Sequence, residues 1–468
     1  MRLIILLLVG VTLQLPGCAE KPSQPRNIIF FISDGCGPAS FTMAREYVQS
    51  QGATQLATDQ MLVGSARTFA SGRLITDSAA SGTAYACGIK TYNGAIAMDT
   101  TRQPVATLLE GAEERGMATG LVATSTITHA TPAVFSAHVV NRADQAGIAL
   151  QQMEQSIEVL LGGGAGYYLP ADQGGHRTDG RNLMTEAAAN GSKVVRSRDE
   201  LMAVRTSPVL GLFAVDHMSY EIDRDEDHQP SLAEMTAQAI ELLDDDPDGF
   251  FLMVEGSRID HAAHGNDAAG HLHDILAFDK AIRVGLDYAR ENGETLILST
   301  SDHETGGMSV GTRVDGVSEY SWKPGQLTKV QHSLEYAADS LLGRVKWSTI
   351  LEMYGIDDPT EEEVRMGSNG TGSRRALADI ISKRARIGWT TGGHTAVDVN
   401  VYAFGPGSDL FQGHHDNTRI GIHLARLMNV DLAALTQKLR ARAHTVSPAP
   451  SEDSSRVSDG RTLPLHDL

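Results

Sequence analysis

The stretch "NIIFFISD", Asn27 to Asp34, runs through five consecutive apolar residues and stops on an acid. A strand with one wet face alternates apolar and polar residues. This one does not, so it is covered on both faces. The same kind of run recurs at "TGLVATS" (119–125), "GFFLMVEG" (249–256), "TLILSTSD" (295–302) and "NVYAFGP" (400–406). Between the runs, 104–115, 231–245 and 267–292 carry apolar residues at helical spacing. Strands of this type alternating with helices predict an α/β fold: a large, mostly parallel central sheet with helices on both faces. In such sheets ligands bind beyond the carboxyl ends of the strands.

Three of the five runs finish on an acid, namely Asp34, Glu255 and Asp302, the last followed by His303. One terminal Asp is a routine turn residue. Three on one edge of one sheet repel each other unless cations neutralise them, so the edge asks for metal. "VEGSRIDHAAHGND" adds Asp260 and His264, four apart and therefore on one face of a helical turn. Carboxylate plus imidazole at that spacing suits zinc. His394 comes in "WTTGGHTAVD", where small neighbours let a loop approach a crowded site.

In "LITDSAASGTAYACGIK", Leu74 to Lys90, an acid and a serine open a run of small residues. Asp77 and Ser78 are both good helix caps, and a hydroxyl at a helix N-terminus also sits where a phosphate is favoured. "TITHATP" supplies His129 and Thr131, and "VVNR" supplies Arg142, whose planar fork can hold two phosphate oxygens.

With these motifs in this order, the chain from Asn27 to about Asn429 resembles the alkaline phosphatases. The resemblance implies hydrolysis of phosphate monoesters, with Ser78 as nucleophile forming a phosphoserine and Arg142 binding the phosphate. It implies two zinc ions, one held by Asp34, Asp302 and His303 and the other by Asp260, His264 and His394. It implies one magnesium at Asp34, Glu255 and Thr131, with His129 beside it and His261 near the phosphate. Asp77 then orients Arg142 or the helix end. A homodimer is also implied. The rival readings are a phosphodiesterase, sulfatase or phosphomutase on the same metal scaffold, and a non-catalytic metal- or phosphate-binding lipoprotein. The context of Ser78 does not match the former, and the latter has no need of Ser78 and Arg142. Ala214 and Gln229 stand where vertebrate relatives carry calcium-binding carboxylates, so no calcium is expected; the acidic stretch 223–227 reads as a solvated loop.

The remaining features bound this reading. The chain has 468 residues and a net charge of -19, which argues against a nucleic-acid-binding surface. Residues 1–17 read as an export signal, and "LPGC" resembles a bacterial lipobox that places a lipid on Cys18. The expectation is a bacterial protein in the periplasm or anchored at the outer membrane, touching membrane only through that lipid. Residues 18–26 read as a tether, 27–430 as the catalytic domain with a helical excursion near 326–386, and 446–468 as a disordered tail. Cys36 and Cys87 are too few for a disulfide framework and are expected as free thiols. "LGGGAGYY", Leu161 to Tyr168, lacks the ending of a P-loop and reads as a plain glycine loop. His414 and His415 fall outside the matched ligands.

Overall fold

Why the first strand is apolar throughout is plain from its two faces in the computed structural model, which describes residues 24–367 and 373–445. Ile29 and Phe31 enter one core cluster with Phe278 and Ile282 of the helix Ala268–Asn292, while Ile28, Phe30 and Ile32 enter a second with Tyr85 and Phe135. Phe31 meets Phe278 edge-on at 6.0 Å, and Phe30 meets Tyr85 edge-on at 5.7 Å. A residue pointing either way is therefore in a core.

The central sheet has ten strands. They are β1 (Asn27–Ser33), β2 (Leu62–Arg67), β3 (Ala118–Thr126), β4 (Val159–Gly163), β5 (Lys193–Val195), β6 (Val209–Leu212), β7 (Phe250–Gly256), β8 (Thr295–Thr300), β9 (Val399–Phe404) and β10 (Gly413–Asp416). Their order across the sheet is β10-β2-β9-β8-β1-β7-β3-β4-β6-β5. Every neighbouring pair is parallel except the two made by β9, which runs against both β8 and β2. The predicted architecture is the observed one. Helices lie in the three predicted segments, with ends set by caps: Ser231 and Glu234 form a capping box on Leu232–Leu243, Asp267 caps Ala268–Asn292, and within 104–115 the helix is shorter, Leu108–Glu114, capped by Thr107.

Four helices, Leu334–Leu342, Trp347–Met353, Glu361–Met366 and Ser373–Ala385, stand between β8 and β9 in the chain. Among the described residues no helix is long and apolar enough to cross a membrane. The expected signal, Cys18 with most of the tether, and the tail lie outside the described residues.

Two expectations are corrected. Leu161–Tyr168 is not a plain loop: its first three residues complete β4 and Ala165–Tyr168 form a short 3-10 helix. A Cβ on Gly163 would stand 2.2 Å from the carbonyl oxygen of Asp216, so glycine serves the close approach of a neighbouring loop backbone there. Nor is all of 223–227 solvated. Asp223 accepts from Nδ1 of His332 at 3.0 Å and from the Ser333 amide, and so anchors the start of Leu334–Leu342.

Candidate metal centre

The carboxyl ends of β1, β7 and β8 carry Asp34, Glu255, Asp302 and His303 to one edge, where all four are fully buried. Gly35 lets the chain turn there at φ +70°, in the left-handed region, and a Cβ on it would stand 2.6 Å from Oδ1 of Asp260. Asp260, His261 and His264 lie on the helix Arg258–His264 that follows β7. His394 arrives on a two-residue strand, His394–Thr395, paired antiparallel with Glu304–Thr305.

Three groups of potential ligand atoms result, each with its atoms within 4.8 Å of one another: Asp260, His264 and His394; Asp34, Asp302 and His303; and Asp34, His129 and Glu255. All nine residues expected to border metal are thus in the neighbourhood, Thr131 being the second residue of the helix Ala130–Ser136 that starts just after His129. The donor chemistry fits divalent cations. Both oxygens of Asp34, both of Glu255, Oδ2 of Asp302 and Oγ1 of Thr131 are buried with no hydrogen-bond partner, a costly state for anions in protein interior. Burial, then the charges of Asp302, Asp260 and Glu255, pushes the Asp34 carboxyl well above its ordinary range. Burial likewise brings Glu255 up to about 7.

The imidazoles are oriented from behind. Nδ1 of His264 donates to the Gly392 carbonyl at 2.7 Å, and Nδ1 of His394 donates to the Thr76 carbonyl at 2.9 Å. A carbonyl only accepts, so each ring keeps its proton on Nδ1 and leaves Nε2 free for a cation. His303 is held similarly: Thr305 Oγ1 donates to Asp260 Oδ1 at 2.5 Å and stands 3.2 Å from Nδ1 of His303, free to accept from it. Nε2 of His264 lies 3.2 Å from Asp260 Oδ2, and Nε2 of His303 lies 3.1 Å from Asp302 Oδ2. Burial opposes ionisation of Asp260, but the neighbouring His264, His394 and His303 outweigh it and hold this carboxyl well below its usual range.

Ser78 is the first residue of the fully buried helix Ser78–Cys87, with Asp77 as its N-cap, accepting from the Ala80 amide at 2.9 Å. The helix is built of small residues because it is packed closely: a Cβ on its Gly82 would lie 2.8 Å from Cγ2 of Val134. Ser78 Oγ stands 3.1 Å from Nε2 of His303. Arg142 Nη1 lies 3.4 Å from Oδ2 of Asp77, and Nη2 donates to Nε2 of His129 at 2.9 Å. Asp77 thus does both things expected of it, capping the helix and holding the arginine.

Profile comparison for the family described as Alkaline phosphatase matches residues 25–430. The chain belongs to that family. It is 39% identical to the repressible alkaline phosphatase of Saccharomyces cerevisiae, over 97% of this chain and 90% of the yeast protein. The crystal structure of a cold-active alkaline phosphatase from Shewanella sp. superposes with a TM-score of 0.78 at 35% identity, covering 86% of this chain and 99% of that one. A mutant of the alkaline phosphatase of the Antarctic bacterium TAB5, solved with magnesium in its M3 site, is 28% identical with a TM-score of 0.65, covering 87% and 99%. The protein is therefore an alkaline phosphatase by family and fold, a metal-dependent class of enzyme, and both support hydrolysis of phosphate monoesters.

Several supporting residues escaped the sequence reading. Arg258 lies three residues before His261 on one helix, a spacing that signals contact. Thr305 lies in "DHETGG", two residues after His303. Nothing in the sequence pointed to His217, whose ring lies 4.5 Å from that of His261. Cys36 and Cys87 are buried free thiols.

Proposed function

We propose that the chain cleaves phosphate monoesters in two displacements, first by Ser78 Oγ and then by water at the phosphoserine, with zinc in the two imidazole-bearing groups and magnesium at Asp34, Glu255 and Thr131. The observation that carries this reading is the convergence of Ser78 Oγ and His303 Nε2, 3.1 Å apart, at the edge of the Asp34, Asp302 and His303 group. Imidazole with carboxylate suits zinc, and an all-oxygen set suits magnesium. When bound, such cations neutralise the buried carboxylates, lower the pKa of the attacking oxygen and clamp attacking and leaving oxygens in line.

The rest of the work falls to the chain itself. Asp77 joins the nucleophile to the phosphate clamp, since it caps the helix that Ser78 starts and faces Arg142. The guanidinium fork binds two oxygens of the phosphoryl group, and the N-terminus of the helix favours its negative charge. Because Arg142 donates to Nε2 of His129, the proton of that ring is on Nδ1, which is buried and unpaired. His129 then borders the magnesium group as a hydrogen-bond donor.

The test is turnover of p-nitrophenyl phosphate against bis-p-nitrophenyl phosphate, with and without chelator. The reading expects the monoester to be cleaved far faster, with activity lost on chelation and restored by zinc and magnesium. A preference for the diester overturns it. The reading also carries a lipid on Cys18 that holds the protein at the periplasmic or outer-membrane surface, and a homodimer. A Cys18→Ser variant that stays with the membrane fraction, or a monomer by sedimentation, removes the corresponding part.

A further inference from the structure

The imidazoles of the site are of two kinds, according to what faces their second nitrogen. His264 and His394 turn Nδ1 to backbone carbonyls and point Nε2 into the Asp260, His264 and His394 group, where the two Nε2 atoms lie 3.2 Å apart. His261 is built the other way. Its Nδ1 lies 3.0 Å from Nη1 of Arg258. A guanidinium has donors and no acceptor, so Nδ1 must accept and the ring proton belongs on Nε2. That Nε2 is buried and has no protein partner.

Arg258 is itself held on two sides, although its Nε is buried without a partner. It is 4% exposed, its Nη2 donates to both carboxylate oxygens of Glu335 at 3.0 and 2.9 Å, and its guanidinium carbon lies 3.7 Å from the centre of the Tyr220 ring. On its other side His261 is packed by His217, fixed in turn by the Thr126 amide, which donates to its Nδ1 at 3.0 Å. The His261 ring stands 5.4 Å from that of His129, which receives Arg142. His261 thus stands beside the imidazole that Arg142 contacts, and its Nε2–H has no acceptor from the protein.

We propose that Arg258 is a positioning residue for phosphate recognition: pinned by Glu335 and Tyr220, it fixes His261 as an Nε2–H donor to a phosphoryl oxygen and keeps it from acting as a cation ligand. This rests on the monoester reading above. It assigns to Glu335, on a helix of the excursion, an indirect hold on the substrate through one buried arginine.

The experiment is a double-mutant cycle on the full chain loaded with zinc and magnesium, using Arg258→Met, His261→Ala and the pair. Binding of inorganic phosphate is measured by calorimetry, with KM and kcat for p-nitrophenyl phosphate and zinc content alongside. Arg258→Met should weaken phosphate binding about tenfold, raise KM more than it lowers kcat, and leave zinc content unchanged. In the His261→Ala background the same substitution should change phosphate binding less than about twofold. An equal loss in both backgrounds, or no loss in either, overturns the proposal. Should Arg258→Met fail to fold, Glu335→Ala, at a half-exposed position, is carried through the same cycle with the same criteria. A parent protein that binds phosphate in this His261-dependent way but leaves monoesters intact sinks the monoester reading alone; active enzyme with no coupling sinks only the role of Arg258.

Discussion

Thr305 gives its hydroxyl proton to Asp260 and stands ready to accept one from His303, so a single oxygen orients one side chain in each of the two imidazole-bearing groups. Supports of this kind typically tune metal affinity by one to two orders of magnitude. Thr305→Val, which keeps the shape and removes the hydroxyl, should weaken zinc retention by about 10- to 100-fold at both groups, read by competition with a chromogenic chelator. Thr305→Ser should retain most of the affinity. Loss of one zinc with the other untouched would contradict the shared role.

The three carboxylate and imidazole groups assemble without Ser78. Ser78→Ala should therefore keep bound zinc while turnover falls by at least about 10³. No labelled phosphoenzyme should be trapped. Undiminished labelling would move the nucleophile elsewhere.

Gly35 has no room for a side chain and no freedom to leave the left-handed region. Gly35→Ala combines backbone strain with a clash against Asp260, a destabilisation of about 2 to 5 kcal/mol. Calorimetric unfolding should show a lower Tm, and zinc content should fall because Asp260 is the group displaced. A variant with parental Tm and zinc would argue that the turn relaxes freely.

Glu113 provides a pH signature away from the metal groups. Oε1 is buried without a partner, and burial, then the charges of Glu158 and Glu110, raises this carboxyl from 4.5 to about 7. A carboxyl raised on folding carries no penalty below its unfolded pKa, and the folded state loses stability as pH climbs from about 4.5 through about 7. Glu113→Gln removes that ionisation, and should raise stability by about 2 to 3 kcal/mol at pH 9 with no gain at pH 4. Equal Tm differences at both pH values would rule the mechanism out.

The sheet was legible where strands are covered on both faces. β1, β3, β7 and β8 announce themselves as apolar runs, and the terminal acids of β1, β7 and β8 announce the site. β2 and β10 did not, because most of their residues stay partly or fully exposed and carry no continuous pattern. β4 was hidden by glycines that serve backbone packing, and β5 and β6 by their brevity. At the site, the residues of the three groups were readable because the chemistry of a metal centre would constrain residue type and local spacing. Their supports were not: the carbonyls of Thr76 and Gly392 belong to no residue type, and Glu335 lies 77 positions from the arginine it holds.

β9, the one reversed strand of the sheet, lies only a few residues beyond His394, the last in the chain of the residues grouped at the site, and inserts between β2 and β8. Chain entering the sheet from the opposite direction must begin at the edge where the other strands finish, which is what delivers that imidazole to its partners. A nascent chain lacking this segment already contains Asp34, Glu255, Asp260, His264, Asp302 and His303, yet it cannot close the Asp260, His264 and His394 triad. The three groups are therefore complete only once the chain has been made as far as His394.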